Sequence, residues 1–341
     1  MTPGRVPILL VLMLSAAACR RPEAEPQLEE IAVIDTSGWA HDVRLDGDEI
    51  YVSDRQGGFA VFDRRDLSLP PRIAAPVTDV ISLALNSGKL LLAARFEGLV
   101  LSSRSGSVLA RYSNGDISNA VEAREDLAFI AYGLHGLVVA RVTDSEIRVV
   151  SELASPGWSH YVRLIGDRAF LADWDYGLRV VDIADPERPV EVGVLPTPKT
   201  TIALDIRRAG GDLLVALAEG HAGVAVARVD DGGRPFLAGR NGLGLDPASE
   251  PHPKSGGWAH GIAWSSSYLF VANWKNGLVV LDGHDLRNLK IIAERRTGGT
   301  ALGVAARQQA DGSHLVYLAD GESGLRVFRF TADAQAVRKN H

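Results

Sequence analysis

The sequence predicts an all-β protein, a seven-bladed β-propeller of four-stranded blades closed by an N-terminal strand. Three observations carry this expectation. A run of residues recurs: Gly157-Trp158-Ser159-His160 followed by YVRL, AFLAD and GLRVVD, Gly38-Trp39-Ala40-His41 with IYVSD and GFAVFD, and Gly257-Trp258-Ala259-His260 with LFVAN and GLVVLD. Weaker copies between these bring the repeats to seven, at a period near 40 residues, which is the length of a propeller blade. The apolar runs are short, rich in Val, Leu and Ile and punctuated by Gly, Asp and Pro, and no stretch past the N-terminal segment holds a helical period over three turns.

The chain begins with a targeting segment, residues 1–18. Arg5 supplies a charged start, Val6–Leu14 is apolar, and Ser15-Ala16-Ala17-Ala18 is a small-residue cleavage site. The apolar run is too short for a permanent bilayer span. Small residues ending in Cys19, the one cysteine among 341 residues, resemble a bacterial lipoprotein signal. That resemblance implies lipidation of Cys19, export and membrane anchoring at the outer membrane or cell surface. Residues 19–29 are polar and Pro-bearing, and read as a lipid-anchored flexible tether.

The propeller is expected over residues 30–331. Each inner strand is marked by an apolar residue, Val43, Leu83, Val121, Val162, Leu204, Ile262 and Val304, at intervals of 40, 38, 41, 42, 58 and 42. A second strand follows, as in Ala169–Ala172. Then comes a turn ending in Gly58, Gly98, Gly136, Gly177, Gly223, Gly277 or Gly324, and a third strand starts after the glycine. A more variable fourth strand closes each repeat, as in Val190–Val194. The last repeat lacks one, and residues 332–341 read as a tail. The unmatched Glu30–Asp35 (EIAVID) is expected to supply that strand, pairing antiparallel with Gly324–Phe330 and removing an open sheet edge. Its apolar residues on both faces predict cover from both neighbouring blades.

The GL-VVD third strand and Asp182–Gly193 (DIADPERPVEVG) resemble the LVIVD-repeat family, propellers of bacteria and archaea that are often exported. The resemblance spans nearly all of the mature chain. It implies fold and location, and it brings no catalytic residue. The formal charge of −6 and the absence of a basic run exclude nucleic acid as an expected partner. The long fifth interval holds an insert, Arg240–Gly256, expected to emerge beside Gly257-Trp258-Ala259-His260.

One constellation stands out. The GWxH motifs place Trp39, His41, Trp158, His160, Trp258 and His260 in loops that enter inner strands. The turn between second and third strands of the same repeats carries Asp54, then Asp173-Trp174, then Asn273-Trp274. All eleven are expected on one mouth of the channel, spread around it by steps of three, two and two blades. In one reading each His bonds to the Asp or Asn of its own repeat and locks the blade, as in WD-repeat propellers, and three such locks contribute additively. In another the face is an aromatic, His- and Asp-lined pocket for a small polar ligand, a sugar or a peptide. A shared metal would require imidazole nitrogens within about 4 Å of one another. His135, His221 and His284 read as turn or surface residues. No GxSxG, HExxH, phosphate loop or EF-hand occurs. The sequence therefore points to a non-catalytic cell-envelope lipoprotein whose propeller face binds a protein or envelope polymer, with no metal and no cofactor. The alternative is a propeller hydrolase or lyase using His41, His160 and His260.

Overall fold

The computed structural model describes residues 25–75, 77–198, 200–244 and 257–332. The signal segment, Cys19, most of the expected tether, residues 333–341 of the C-terminal tail and residues 245–256 of the insert lie outside them. The chain forms seven antiparallel four-stranded sheets arranged as propeller blades. Their inner strands are Asp42–Asp46, Ser82–Asn86, Ser118–Arg124, Ser159–Ile165, Ala203–Ala209, Gly261–Ser265 and Gly303–Gln308, for blades 1 to 7. The seven apolar residues that mark the repeats are all buried.

Burial explains why second and third strands read as continuous apolar runs. A middle strand of a blade has a neighbouring blade on each face, so it cannot alternate with water. In blade 4, Phe170 packs toward blade 5 with Leu204 and Val215. Its neighbour Leu171 packs toward blade 3 with Phe129 and Val139. Outer strands have less cover, and Val190 and Leu237 are exposed.

The seven turn glycines share one reason. Each has φ between +72° and +95°. A Cβ at any of them would lie 2.1–2.3 Å from a carbonyl oxygen of the adjacent outer strand. In blade 7 that oxygen belongs to Ile34, from the other end of the chain.

Ring closure follows the expected pairing. Gln27–Ile34 runs antiparallel to Leu325–Thr331, with Ile34 opposite Leu325 and Gln27 opposite Thr331. Two details differ from the sequence reading. The strand starts at Gln27, so residues 27–29 are sheet and not tether. Ile31 and Val33 are 42% and 51% exposed, so the strand is not covered on both sides along its length. It is the outer strand of its blade, with less cover, and a bulge lies between Glu30 and Ala32. An extra residue switches the side to which the strand points. Leu28 packs between blades 6 and 7, while Ala32 and Ile34 pack between blades 7 and 1.

Candidate functional site

At one mouth of the channel each blade holds the next by a short backbone bridge. The pairs are Arg55 with Val80, Arg95 with Ser118, Gly133 with Ser159, Trp174 with Thr201, Gly220 with Ala259, Trp274 with Ala301, and Gly321 with Ala40. The residues that follow the second partner ring the mouth in order: His41, Ile81, Asn119, His160, Ile202, His260 and Leu302.

The three histidines each bond across to the next blade. Nδ1 of His41, His160 and His260 lies 2.9 Å from the carbonyl oxygen of Ile81, Ile202 and Leu302 respectively. A carbonyl only accepts, so Nδ1 carries the hydrogen, and in the neutral ring Nε2 is the acceptor. Asn119 does the same, donating Nδ2–H to the Ser159 carbonyl at 2.9 Å. Burial is the main reason the His41 pKa falls to about 3, with His160 and the Arg55 charge adding to it. Burial, then His260, lowers His160 to about 4.

The His–Asp lock of the sequence reading is therefore replaced by two separate devices. Asp54, Asp173 and Asn273 are fully buried at the base of their turns, behind the bowl that the Trp and His side chains line. Asp54 accepts from Thr36 Oγ1 at 2.8 Å. Asp173 accepts from Ser155, from Ser159 at 3.2 Å and from the buried Arg179 at 3.2 Å. Asp320, at the same place in blade 7, accepts from Thr297 at 2.8 Å and Arg326 at 2.6 Å. The lock exists, but its partners are Ser, Thr and Arg. Burial pushes Asp54 up to about 7, against the pull of its Thr36 hydrogen bond.

The imidazoles are closer than independent blade locks would place them. Ring centroids are 5.5 Å apart for His41 and His260 and 6.3 Å for His160 and His260. Crowding of the inner strands causes this. A Cβ on Gly261 would lie 2.4 Å from the Leu302 carbonyl, and one on Gly303 2.6 Å from that of His41. Among the described residues no group of three His, Cys, Asp or Glu is placed to hold a metal ion.

Above this floor lies a bowl of about 640 Å³. Its walls include Trp39, Trp158, Trp174, Trp258 and Trp274. Trp174 leans over His160 at 5.6 Å and Trp274 over His260 at 6.0 Å, at nearly equal tilts. Trp258 meets His221 edge-on at 4.5 Å, so His221 is a buried packing partner and not a plain turn residue. His135 and His284 are exposed and face Glu152 and Asp282.

Two wall residues, Arg55 and Arg95, lie in the turns that the sequence places at this mouth but are not among the expected site residues. They occupy the bridge position, where all seven residues have φ between +27° and +56°. Blades 3, 5 and 7 put glycine there. Gly220 and Gly321 also make room for the Trp of the following blade, since a Cβ would lie 3.0–3.1 Å from the ring of Trp258 or Trp39. Blades 1, 2, 4 and 6 hold Arg55, Arg95, Trp174 and Trp274 at a backbone cost of about 1–2 kcal/mol each. The informative difference among the repeats lies one residue after Asp54 and its counterparts.

Below the floor is a space of about 20 Å³, room for one water. Beneath it Tyr161 reaches across from blade 4, its hydroxyl 3.4 Å from Asp42 of blade 1. Arg44 and Arg163 stack on its ring at 5.7 and 5.2 Å. Both arginines also bond Glu122, and Arg163 approaches Asp205 at 3.6 Å. This network fills the channel.

Seven closed blades with a Trp- and His-lined bowl at one mouth define the chain as a seven-bladed β-propeller. Three of its repeats match the LVIVD repeat model, over residues 37–70, 156–197 and 256–283, the three segments that carry GWxH. No curated protein sequence matches the chain. Among solved structures it is similar to the β-propeller domain of Cps50 (Swd1) from Myceliophteria thermophila, with 11% identity, TM-score 0.66, and 89% of this chain and 99% of that one covered. It is also similar to U3-55K, with 12% identity, TM-score 0.64, and 89% and 98% covered. The computationally designed Ika8 protein gives 9%, 0.60, 88% and 99%. At these identities the likeness is one of fold.

Proposed function

We propose that this protein is a non-catalytic binding module of the cell envelope, exported, anchored through a lipid on Cys19, and engaging a protein or envelope ligand at the bowl. The observation that carries the reading is the bowl itself. Five tryptophans over a floor of histidines, with Nδ1 committed to backbone carbonyls, make a concave, largely apolar surface with a few fixed polar groups, the composition of a ligand site. The enzyme alternative is poorly served by the same residues. Imidazoles with pKa values near 3 and 4 are weak general bases, and at neutral pH they carry no proton to give as acids.

The test has two arms. Cys19→Ala should move the protein from the membrane to a soluble fraction and abolish lipid labelling; unchanged membrane association refutes the anchor. Fractionated envelope glycans and peptides, titrated against the purified protein, should shift its tryptophan emission. Trp174→Ala should weaken that response about ten-fold, one stacking contact being worth roughly 1.4 kcal/mol. A response that ignores Trp174, or turnover of the titrant, overturns the binding-module reading.

A further inference from the structure

At the bridge position of the ring the fold already has a strain-free solution, glycine, and uses it in three blades. In the other four the chain holds a left-handed residue with a long or wide side chain. All four, Arg55, Arg95, Trp174 and Trp274, line the same bowl. Backbone strain that persists where an easier residue fits marks a place where the side chain is needed. The two kinds of side chain are also segregated, arginine on blades 1 and 2, tryptophan on blades 4 and 6.

The arginine side has a charge imbalance. Arg55 Nε lies 2.8 Å from one oxygen of Asp79, and Arg95 Nε lies 3.6 Å from the other. One carboxylate thus faces two guanidinium groups: it accepts a hydrogen bond from Arg55 Nε and pairs more loosely with Arg95, whose guanidinium lies over the Phe96 ring at 5.2 Å. Among the described residues their terminal Nη atoms have no hydrogen-bond partner, and both side chains remain about 30% exposed (28% and 31%). A guanidinium held by Nε still offers the paired N–H groups that match a carboxylate, sulfonate or phosphate. Asp175, on the rim beside Trp174, is the one acidic side chain in the bowl wall, on a different blade from the arginines.

We propose that the bowl seats a small organic anion, its charged group on Arg55 and Arg95 and its flat apolar body against Trp174 and Trp274. This rests on the bowl being the ligand site. The volume of about 640 Å³ suits a ligand of drug-like size. His41 and His160, whose pKa values burial lowers to about 3 and 4, add no cation to the floor that would compete for the anion.

A matched pair of probes tests it on the whole protein: 8-anilinonaphthalene-1-sulfonate, and N-phenyl-1-naphthylamine, the same aromatic body without the sulfonate. The protein should bind the sulfonate probe at least ten-fold more tightly, and added salt should erode that preference. Arg55→Gly and Arg95→Gly should each reduce the preference and leave the neutral probe's affinity unchanged. Both variants should stay folded, because glycine is what this turn takes elsewhere in the ring, and Arg95→Gly should melt no lower than the parent. Trp174→Ala should weaken both probes. Equal binding of the two probes, both weakened by Trp174→Ala, overturns the anion site and leaves the bowl as a ligand site. Binding of both probes indifferent to Trp174→Ala overturns the bowl reading itself.

Discussion

Asn119 and His160 occupy equivalent ring positions and do the same work, each donating a hydrogen bond to a carbonyl of the following blade. His160→Ala should leave the Ile202 carbonyl unpaired, at a cost of about 1–3 kcal/mol. His160→Asn should recover much of that loss, as measured by urea unfolding. Because His160 meets His260 at 6.3 Å, the paired alanine variants should depart from additivity, contrary to expectation for locks on separate blades. The pH response has two opposed parts. His41 and His160 titrate lower in the fold than in the unfolded chain, so acidification from about 6.5 toward 4 protonates the unfolded state first and removes stability. Burial raises Asp54 to about 7, and Asp205 to about 6, so their folded state holds protons that the unfolded state releases; stability falls as pH rises through about 4 to 7. Asp54→Asn should therefore gain on the parent as pH rises across that window and hold a constant margin above it. A margin independent of pH in thermal melts would remove the protonated Asp54.

At the scale of the element, the closing strand was the most legible feature and also the one misread in detail. EIAVID had no partner in the first repeat and the last repeat lacked an outer strand, so their pairing was available from counting alone. The bulge between Glu30 and Ala32 was not, because a side switch depends on where the partner strand curves and leaves no mark in composition. Deleting residues 1–35 should cost on the order of 5 kcal/mol, since Leu28, Ala32 and Ile34 lose their burial and Arg326 loses Glu30 at 2.7 Å. Melting unchanged from the parent would show that the ring does not need this strand. The bowl was legible in the same partial way. Tryptophan and histidine announce themselves by recurring. Arg55 and Arg95 recur only in two adjacent repeats and outside the GWxH motif, Tyr161 does not recur, and their meaning comes from which blade stands beside which.

At the scale of the molecule, the propeller is a stopped ring: the bowl ends at the histidine floor, and Tyr161 with its arginines blocks the channel below. Tyr161→Phe should leave the stack of Arg44 and Arg163 in place and cost under about 1.5 kcal/mol, whereas Tyr161→Ala should cost about 3–5 kcal/mol. Equal losses in denaturant melts would mean that the hydroxyl bond to Asp42, not the ring, holds the plug. The closure also sets an order of events in time. Glu30 and Arg326 are 296 residues apart in sequence, so the contact that completes the ring is among the most distant the chain makes. Of the described strands, Gln27–Ile34 must wait for Leu325–Thr331, and closing blade 7 is a natural late step of folding. During that wait the segment is an unpaired edge, a template for pairing with another chain. Glu29, Glu30 and the bulge blunt it, giving the nascent strand some protection against a neighbour of its own kind until its proper partner arrives.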